Sequence, residues 1–423
     1  MDSFVLRGLA GKAEIAGTIA VSGSKNAVLP IMAASSLVEG EVKLGNVPDI
    51  ADVRSTVALI ESLGGFVTFG SGMASLRTRD ADQTIIDEEV GKRMRASILM
   101  VASVLARHGR VTFPHPGGCV LGSRPIDVFI GGFRKLGATF SEEGERYAFS
   151  APQGLSGGEI FFRVISVTAT EAFMIAATKA SGPVTLKNCA MEPEVVATAD
   201  FLKACGAKVE GAGTPTITVF PSSLQAPATS FQIIPDRIEA GSFLILGALA
   251  AKDLTVTGAN PAHLSSVIET LSDIGVSVAV SEGSIRVSRP PSLKPAEVRT
   301  HEYPGFPTDL QAPMAILLTQ AEGESSILET IFDGRLNYAA ELVRMGADIE
   351  VVNPHKAIIK GPTPLKAREI MGPDIRAGLA FLLAAAIADG DSTIGNANFI
   401  DRGYEKIEEK LKAVGLSIRR VGG

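Results

Sequence analysis

A phrase of about 70 residues recurs six times along this chain, beyond the roughly 20–50 residues of common solenoid repeats, so each copy reads as a small α/β module. The phrase is an apolar helix, a Gly, a short β-branched strand, a second helix closing on a Gly-Ala-like turn, and a final strand. Copy one runs from Leu29 through Met32-Ala33-Ala34, Gly40 and Val42-Lys43-Leu44 to Val57, Leu63, Gly64-Gly65 and Val67. Later copies begin near Ile98, Glu171, Glu239, Asp309 and Arg376, and their second helices end at Gly137-Ala138, Gly206-Ala207, Gly275-Val276, Gly346-Ala347 and Gly415-Leu416. Runs such as Phe243-Leu244-Ile245-Leu246-Gly247-Ala248-Leu249-Ala250 have no polar face. Such helices are expected to be buried nearly all round, inside a shell of sheet. The β-branched segments alternate and would cover that helical interior.

Six modules can close as one ring or as two groups of three. The segment Ile233-Ile234-Pro235-Asp236-Arg237 between copies three and four, and Val21-Ser22-Gly23-Ser24-Lys25-Asn26 before copy one, read as two crossing strands. The expected organisation is residues 22–233 as a first three-module domain, and 1–21 with 234–423 as a second. Two halves on a two-strand hinge would leave a cleft, the usual place for a ligand.

A net charge of -6 and a pI near 5.6, without a long Lys/Arg run, argue against a nucleic-acid surface. Met1-Asp2-Ser3 is acidic rather than basic and no apolar stretch follows, so no signal peptide is expected, and the longest apolar run, Leu379 to Ala388, is about half of the roughly 20 residues a membrane span needs. A cytoplasmic protein is expected. Five scattered histidines and three cysteines form no zinc pattern, and neither a phosphate-loop nor a dinucleotide-binding fingerprint is present. No metal, cofactor or obligate protein partner is implied. Cys189 and Cys205 lie in apolar surroundings and read as small core hydrophobes.

The remaining cysteine is different. Pro114-His115-Pro116-Gly117-Gly118-Cys119-Val120-Leu121-Gly122-Ser123-Arg124-Pro125-Ile126-Asp127 places a thiol in a glycine-rich loop, where backbone can approach a ligand closely. Arg124 can bind carboxylate or phosphate in a fork and favour thiolate, and Asp127 can accept from a polar ligand. Other charges cluster at module starts, where helix N-termini favour anions. Lys25 and Asn26 open copy one, and Arg93-Met94-Arg95 opens copy two. Tyr303-Pro304-Gly305-Phe306-Pro307-Thr308-Asp309 opens copy five, with Asp309 either an N-cap or a general base. Arg335, Arg376 and Arg402 complete the set. This suits a small, multiply charged phosphate substrate and acid/base chemistry.

In this order, SGSKN, MRAS, PGGCxxGxRPxD, EPE, PDRIExG, PGFPTD, DIRAG and IDRGYE make the whole chain resemble the UDP-N-acetylglucosamine 1-carboxyvinyltransferase family of enolpyruvyl transferases. The resemblance implies a two-domain inside-out α/β barrel of six βαβαββ modules, three per domain. It implies transfer of the enolpyruvyl group of phosphoenolpyruvate to the 3-hydroxyl of UDP-N-acetylglucosamine through a tetrahedral ketal, at the start of peptidoglycan precursor synthesis. Cys119 would be the general acid, and Asp309 the base near the sugar hydroxyl. Lys25, Asn26, Arg124 and Arg402 would lie at the phosphate, and Arg335 and Arg376 on the carboxylate side. Arg95, the Arg124-Pro125-Ile126-Asp127 run, Asp309 and Ile331 would surround the UDP-sugar.

One departure falls in the nucleotide part. Where the family commonly reads K-x-S-x-G, this chain has Val164-Ile165-Ser166-Val167-Thr168. Arg163 stands beside the missing lysine, with Ser166 and Val167 following, but neighbours on a strand face opposite sides. Two other readings stand beside the main one. A sister enolpyruvyl transferase acting on shikimate 3-phosphate does not rest its chemistry on a loop cysteine. A non-catalytic paralogue would bind UDP-sugar as a sensor or scaffold, yet Lys25, Cys119, Arg124, Asp309 and Arg402 are all retained.

Overall fold

Six β-sheets, one for each sequence repeat, cover two groups of buried helices in the computed structural model, which describes residues 2–115 and 126–422. These residues separate into two compact units, one within 23–234 and the other made of 2–22 with 235–422. In the first unit, Glu41–Gly45, Arg110–Pro114 and Val184–Lys187 are the inner strands. Each pairs antiparallel with the return strand of a hairpin, at Met73–Arg77, Arg146–Ser150 and Thr216–Val219. On its other side each meets a parallel neighbour: Phe231–Gln232, the single bridge at Ile85, and Gly158–Phe161. The parallel partner of the first inner strand thus comes from the end of the third module, which ties the three modules together.

The second unit repeats this plan. Ile15–Ala20, Glu297–Arg299 and Glu369–Met371 run parallel to Ala251–Thr257, Gly323–Leu328 and Asp391–Gly395. Its last sheet takes Ser3–Arg7 as the strand between Asp391–Gly395 and Ser417–Val421. The N-terminal strand therefore fills the place that a hairpin strand fills in the other modules.

The helices lie inside these sheets because their sequences leave no polar face. Every residue from Ile238 to Ala250 of helix Arg237–Ala250 is buried, as is every residue from Arg376 to Ile387 of helix Ile375–Ile387. In the first unit, helices Lys25–Ser35, Ser97–His108 and Val167–Ala177 are buried in the same way. Phe173 lies at the centre, 4.6 Å ring to ring from Phe133 and 5.8 Å from Phe162. Gly132 makes that packing possible, since a Cβ there would collide with the Phe173 ring. Truncating such a phenylalanine to alanine costs about 3–5 kcal/mol. Cys189 and Cys205 are part of the same core, and burial pushes both thiols up to about 12.

Candidate active site

Copy five closes its rigid turn on itself before the chain becomes helical. Thr300 bridges Phe306, and the Gly305 carbonyl accepts from the Ser266 hydroxyl at 3.1 Å. Thr308–Leu310 forms a single 3-10 turn leading into helix Gln311–Leu318. Gly241 on helix Arg237–Ala250 sets how close this turn can lie, because a Cβ at Gly241 would overlap the Leu310 side chain.

Asp309 caps neither helix. Its Oδ1 accepts from Arg335 Nη2 at 2.7 Å, and its Oδ2 from Arg376 Nε at 2.9 Å and Nη2 at 2.8 Å. Of the two roles open for Asp309 in the sequence, the cap is therefore excluded, because its carboxylate is turned toward two guanidiniums. Arg335 and Arg376 are nearly fully buried, whereas the Asp309 side chain keeps 23% of its surface exposed. Burial opposes the charge on Arg376, yet Asp309, Tyr404 and Asp236 outweigh it and move its pKa above the ordinary arginine value.

Each arginine has a second anchor. Arg335 Nη1 donates to the Thr308 hydroxyl at 2.9 Å, and its guanidinium lies 5.1 Å from the Phe332 ring centre. Arg376 Nη1 donates to the Tyr404 hydroxyl at 2.9 Å, and burial pushes that phenol up to about 12. Asp374 opens the helix carrying Arg376 by accepting from the backbone N–H groups of Arg376 and Ala377 at 2.8 and 3.1 Å. Asp236 does the same for Ile238 and Glu239 at 2.8 and 2.9 Å. Arg402 follows helix Ala397–Asp401, two residues before Tyr404, and is half-buried. That helix packs closely on Gly378, where a Cβ would come within 2.9 Å of Ile400. Ile331, also half-buried, donates its N–H to Glu329 at 2.8 Å.

The first unit places its candidates at helix starts. Lys25 begins helix Lys25–Ser35 and pairs with the buried Asp52 at 2.9 Å, with half-buried Asn26 next to it. Ser24 precedes them, and its buried hydroxyl has no hydrogen-bond partner among the described residues. Arg95 does not open a helix directly. It lies in a turn between helices Glu88–Arg93 and Ser97–His108, half-buried. Ser166 caps helix Val167–Ala177 by accepting from Ala169 N–H at 3.3 Å, with Val167 as the first helical residue. Ile126 is half-buried and Asp127 exposed at the start of helix Asp127–Lys135. Cys119, Arg124 and Pro125 lie outside the described residues.

Arg163 and Val164 differ from the strand reading. The strand Gly158–Phe161 stops before them, and both sit in an exposed bend. Strand alternation therefore does not separate them.

Several neighbours of these groups escaped the sequence reading. Tyr404 and Asp236 stood inside recognised motifs without a role. Thr308 likewise stood in the PGFPTD motif without a role, and Glu329 carried no signal at all, since their contacts join loops distant in sequence.

The sequence profile of the EPSP synthase (3-phosphoshikimate 1-carboxyvinyltransferase) family matches residues 9–411. The chain belongs to that family. Within it, the chain is 42% identical over 426 residues to a UDP-N-acetylglucosamine 1-carboxyvinyltransferase of Koribacter versatilis, covering 100% of this chain and 97% of the relative. It is 44% identical over 427 residues to the protein of the same name in Acidobacterium capsulatum, with the same coverage. The solved enolpyruvyl transferase NikO from Streptomyces tendae shares the fold at a TM-score of 0.89 and 22% identity, covering 100% of this chain and 99% of NikO. The α/β architecture of this EPSP synthase family member is thus that of an enolpyruvyl transferase.

Proposed function

We propose that this chain moves the enolpyruvyl group of phosphoenolpyruvate onto the 3-hydroxyl of UDP-N-acetylglucosamine and releases phosphate. The observation that carries this reading is its identity of 42–44%, along its whole length, to relatives named for that activity. The doubly held Asp309 supports it. A carboxylate on two buried guanidiniums can give up those contacts to an incoming anion and then serve a hydroxyl.

In the addition step, Asp309 takes the proton of the sugar 3-hydroxyl while its oxygen bonds to C2 of phosphoenolpyruvate. The Cys119 thiol gives its proton to the methylene carbon, which becomes a methyl group. In the elimination step the Cys119 thiolate takes a proton back from the methyl group, the double bond re-forms as the C2–O bond to phosphate breaks, and the proton held by Asp309 passes to the departing phosphate. Lys25, Asn26, Arg124 and Arg402 stabilise the phosphate; Arg335 and Arg376 hold the carboxylate. Cations placed where charge accumulates are the largest single contribution such a site makes. The Ser24 hydroxyl, unpartnered among the described residues at the start of the Lys25 helix, supports an anion there. Arg95, Arg124, Pro125, Ile126 and Asp127 take the UDP-sugar with Ile331. The bend at Arg163 and the helix start at Ser166 and Val167 take its diphosphate.

In the cell this would be the first committed step of peptidoglycan precursor synthesis, carried out in the cytoplasm and serving cell-wall growth, shape and division. Fosfomycin would be its inhibitor. One assay separates the readings: phosphate release from phosphoenolpyruvate with UDP-N-acetylglucosamine against release with shikimate 3-phosphate. Release only with the UDP-sugar is expected. Release with shikimate 3-phosphate would move the chain to the sister activity, and release with neither would leave a binding protein.

A further inference from the structure

We propose that Glu329 is a positioning residue for the transfer reaction, holding in register the two loops that present Asp309 and Arg335. The inference rests on the function proposed above. Glu329 follows strand Gly323–Leu328 and is fully buried. Its Oε2 accepts from the Thr308 hydroxyl at 2.8 Å and from Gln311 Nε2 at 3.3 Å. Its Oε1 accepts from the N–H groups of Ile331 and Phe332, at 2.8 and 3.0 Å. One oxygen thus serves the turn carrying Asp309, and the other serves the loop leading to Arg335. A buried carboxylate is tolerated where donors surround it, and here four converge.

The link to chemistry runs through Thr308. A hydroxyl has one proton to give and two lone pairs to accept with. Carboxylate oxygens only accept, so the Thr308 proton goes to Glu329. A lone pair is then left for Arg335 Nη1 at 2.9 Å. With that nitrogen fixed, the planar fork directs Nη2 to Asp309 at 2.7 Å. Glu329 touches no reacting atom; it acts by orienting the hydroxyl that orients the arginine. A buried carboxylate needed only to staple loops would leave the Thr308 proton without consequence.

The test compares steady-state kinetics of Thr308→Val, Thr308→Ser, Glu329→Gln and the double variant Thr308→Val/Glu329→Gln. Loss of a hydrogen bond to a charged group corresponds to about a tenfold to hundredfold effect. Thr308→Val is expected to raise the KM for phosphoenolpyruvate by that factor, with little change in the KM for UDP-N-acetylglucosamine. Thr308→Ser should recover most of the loss. Glu329→Gln keeps one acceptor oxygen for the Ile331 and Phe332 N–H groups but turns an amide donor on Thr308 and Gln311, so it should raise chiefly the KM for phosphoenolpyruvate. The double variant should bind phosphoenolpyruvate no worse than the weaker single variant, since both changes cut one chain of contacts. Additive losses, or an unmoved KM in Thr308→Val, would overturn the proposal. If Glu329→Gln does not fold, the two Thr308 variants decide it alone. Hydrogen exchange of the Ile331 and Phe332 amides reads the loop coupling without turnover. Faster exchange in Glu329→Ala, which removes both oxygens, supports it, and unchanged exchange overturns it even in a chain inert toward both substrates. Inertness of the wild type would itself count only against the function proposed above.

Discussion

The two units repeat one three-module plan but finish their helix starts differently. In the unit of residues 2–22 and 235–422, Asp236 and Asp374 cap two of the long buried helices with their own side chains. In the unit within 23–234, helix Lys25–Ser35 begins at Ser24 and helix Ser97–His108 at Ala96, neither with a side-chain cap. A side-chain cap is worth about 1 kcal/mol, so an uncapped start forgoes that stability and keeps backbone donors available for an anion. The difference teaches a division of labour within one repeated architecture. One unit caps two of its three long buried helices, leaving only Gln311–Leu318 uncapped, and concentrates buried arginines on Asp309; the other caps only Val167–Ala177, through Ser166, and leaves the helix start at Lys25 without a side-chain cap.

The largest expected effect concerns the cysteine. If Cys119 is the proton donor, Cys119→Ser should slow turnover by about 10²–10⁴-fold, since a hydroxyl is a far weaker acid than a thiol. A phosphonate epoxide such as fosfomycin should add to Cys119 alone, because burial keeps Cys189 and Cys205 protonated and inaccessible. Intact-mass spectrometry of the treated protein reads the adduct directly. Labelling of all three thiols, or an unchanged rate in Cys119→Ser, would remove the chemistry from the loop and leave the comparison to binding alone.

Asp309→Asn sharpens the other side. The amide keeps the shape but cannot take the sugar proton, so kcat should fall by about 10²-fold or more. At the same time Arg335 and Arg376 lose a competing carboxylate, so the KM for phosphoenolpyruvate should stay level or drop. A raised KM with unchanged kcat would mean that Asp309 only positions the arginines.

Much of this was legible in the chain, and what was not has a common cause. The repeat marked six modules because each carries its own apolar helix and closing glycine turn, which are local signals. Asp374 reads as a helix start for the same reason. Gly241 stood in a recognised motif without a reason, because its need arises only where Leu310 packs on it. Glu329 gave no signal, since its four donors come from Thr308, Gln311, Ile331 and Phe332, which only the fold brings around it. Arg163 and Val164 were misread as strand because the β-branched run continues past Phe161, where pairing stops.

That bend gives a smaller prediction. With the family lysine replaced by Val164, Val164→Lys should tighten UDP-N-acetylglucosamine binding by about tenfold, the value of one charge-assisted contact. Since both residues are exposed in one bend, Arg163 can already supply part of that charge. If Arg163→Ala costs more in calorimetric Kd than Val164→Lys gains, Arg163 has taken the lysine's place. No effect from either would remove the bend from the nucleotide site.

The smallest effect is one of pH, and the group behind it lies in the first unit. Glu171 lies on helix Val167–Ala177, 2% exposed, and its Oε1 has no hydrogen-bond partner among the described residues. Burial, and then the carboxylates of Glu194 and Glu192, raise its pKa well above the ordinary glutamate value. Helices packed on its own bring other charges as well: Glu194, Asp200 and Lys203 on Pro193–Ala204, Arg107 and His108 at the end of Ser97–His108, Lys25 on Lys25–Ser35, and Asp127, Arg134 and Lys135 on Asp127–Lys135. Strand Val184–Lys187 adds Lys187. Because the folded state holds the Glu171 proton more tightly than the unfolded state, its contribution to stability is fully present below the unfolded pKa. It is lost as pH rises through the folded one. Glu171→Gln keeps the shape and removes the titration. The variant should therefore gain in Tm over the wild type, by more at pH 8 than at pH 5. An equal difference at both pH values would show that Glu171 does not titrate in the fold, and a larger one at pH 5 would reverse the sign of its shift.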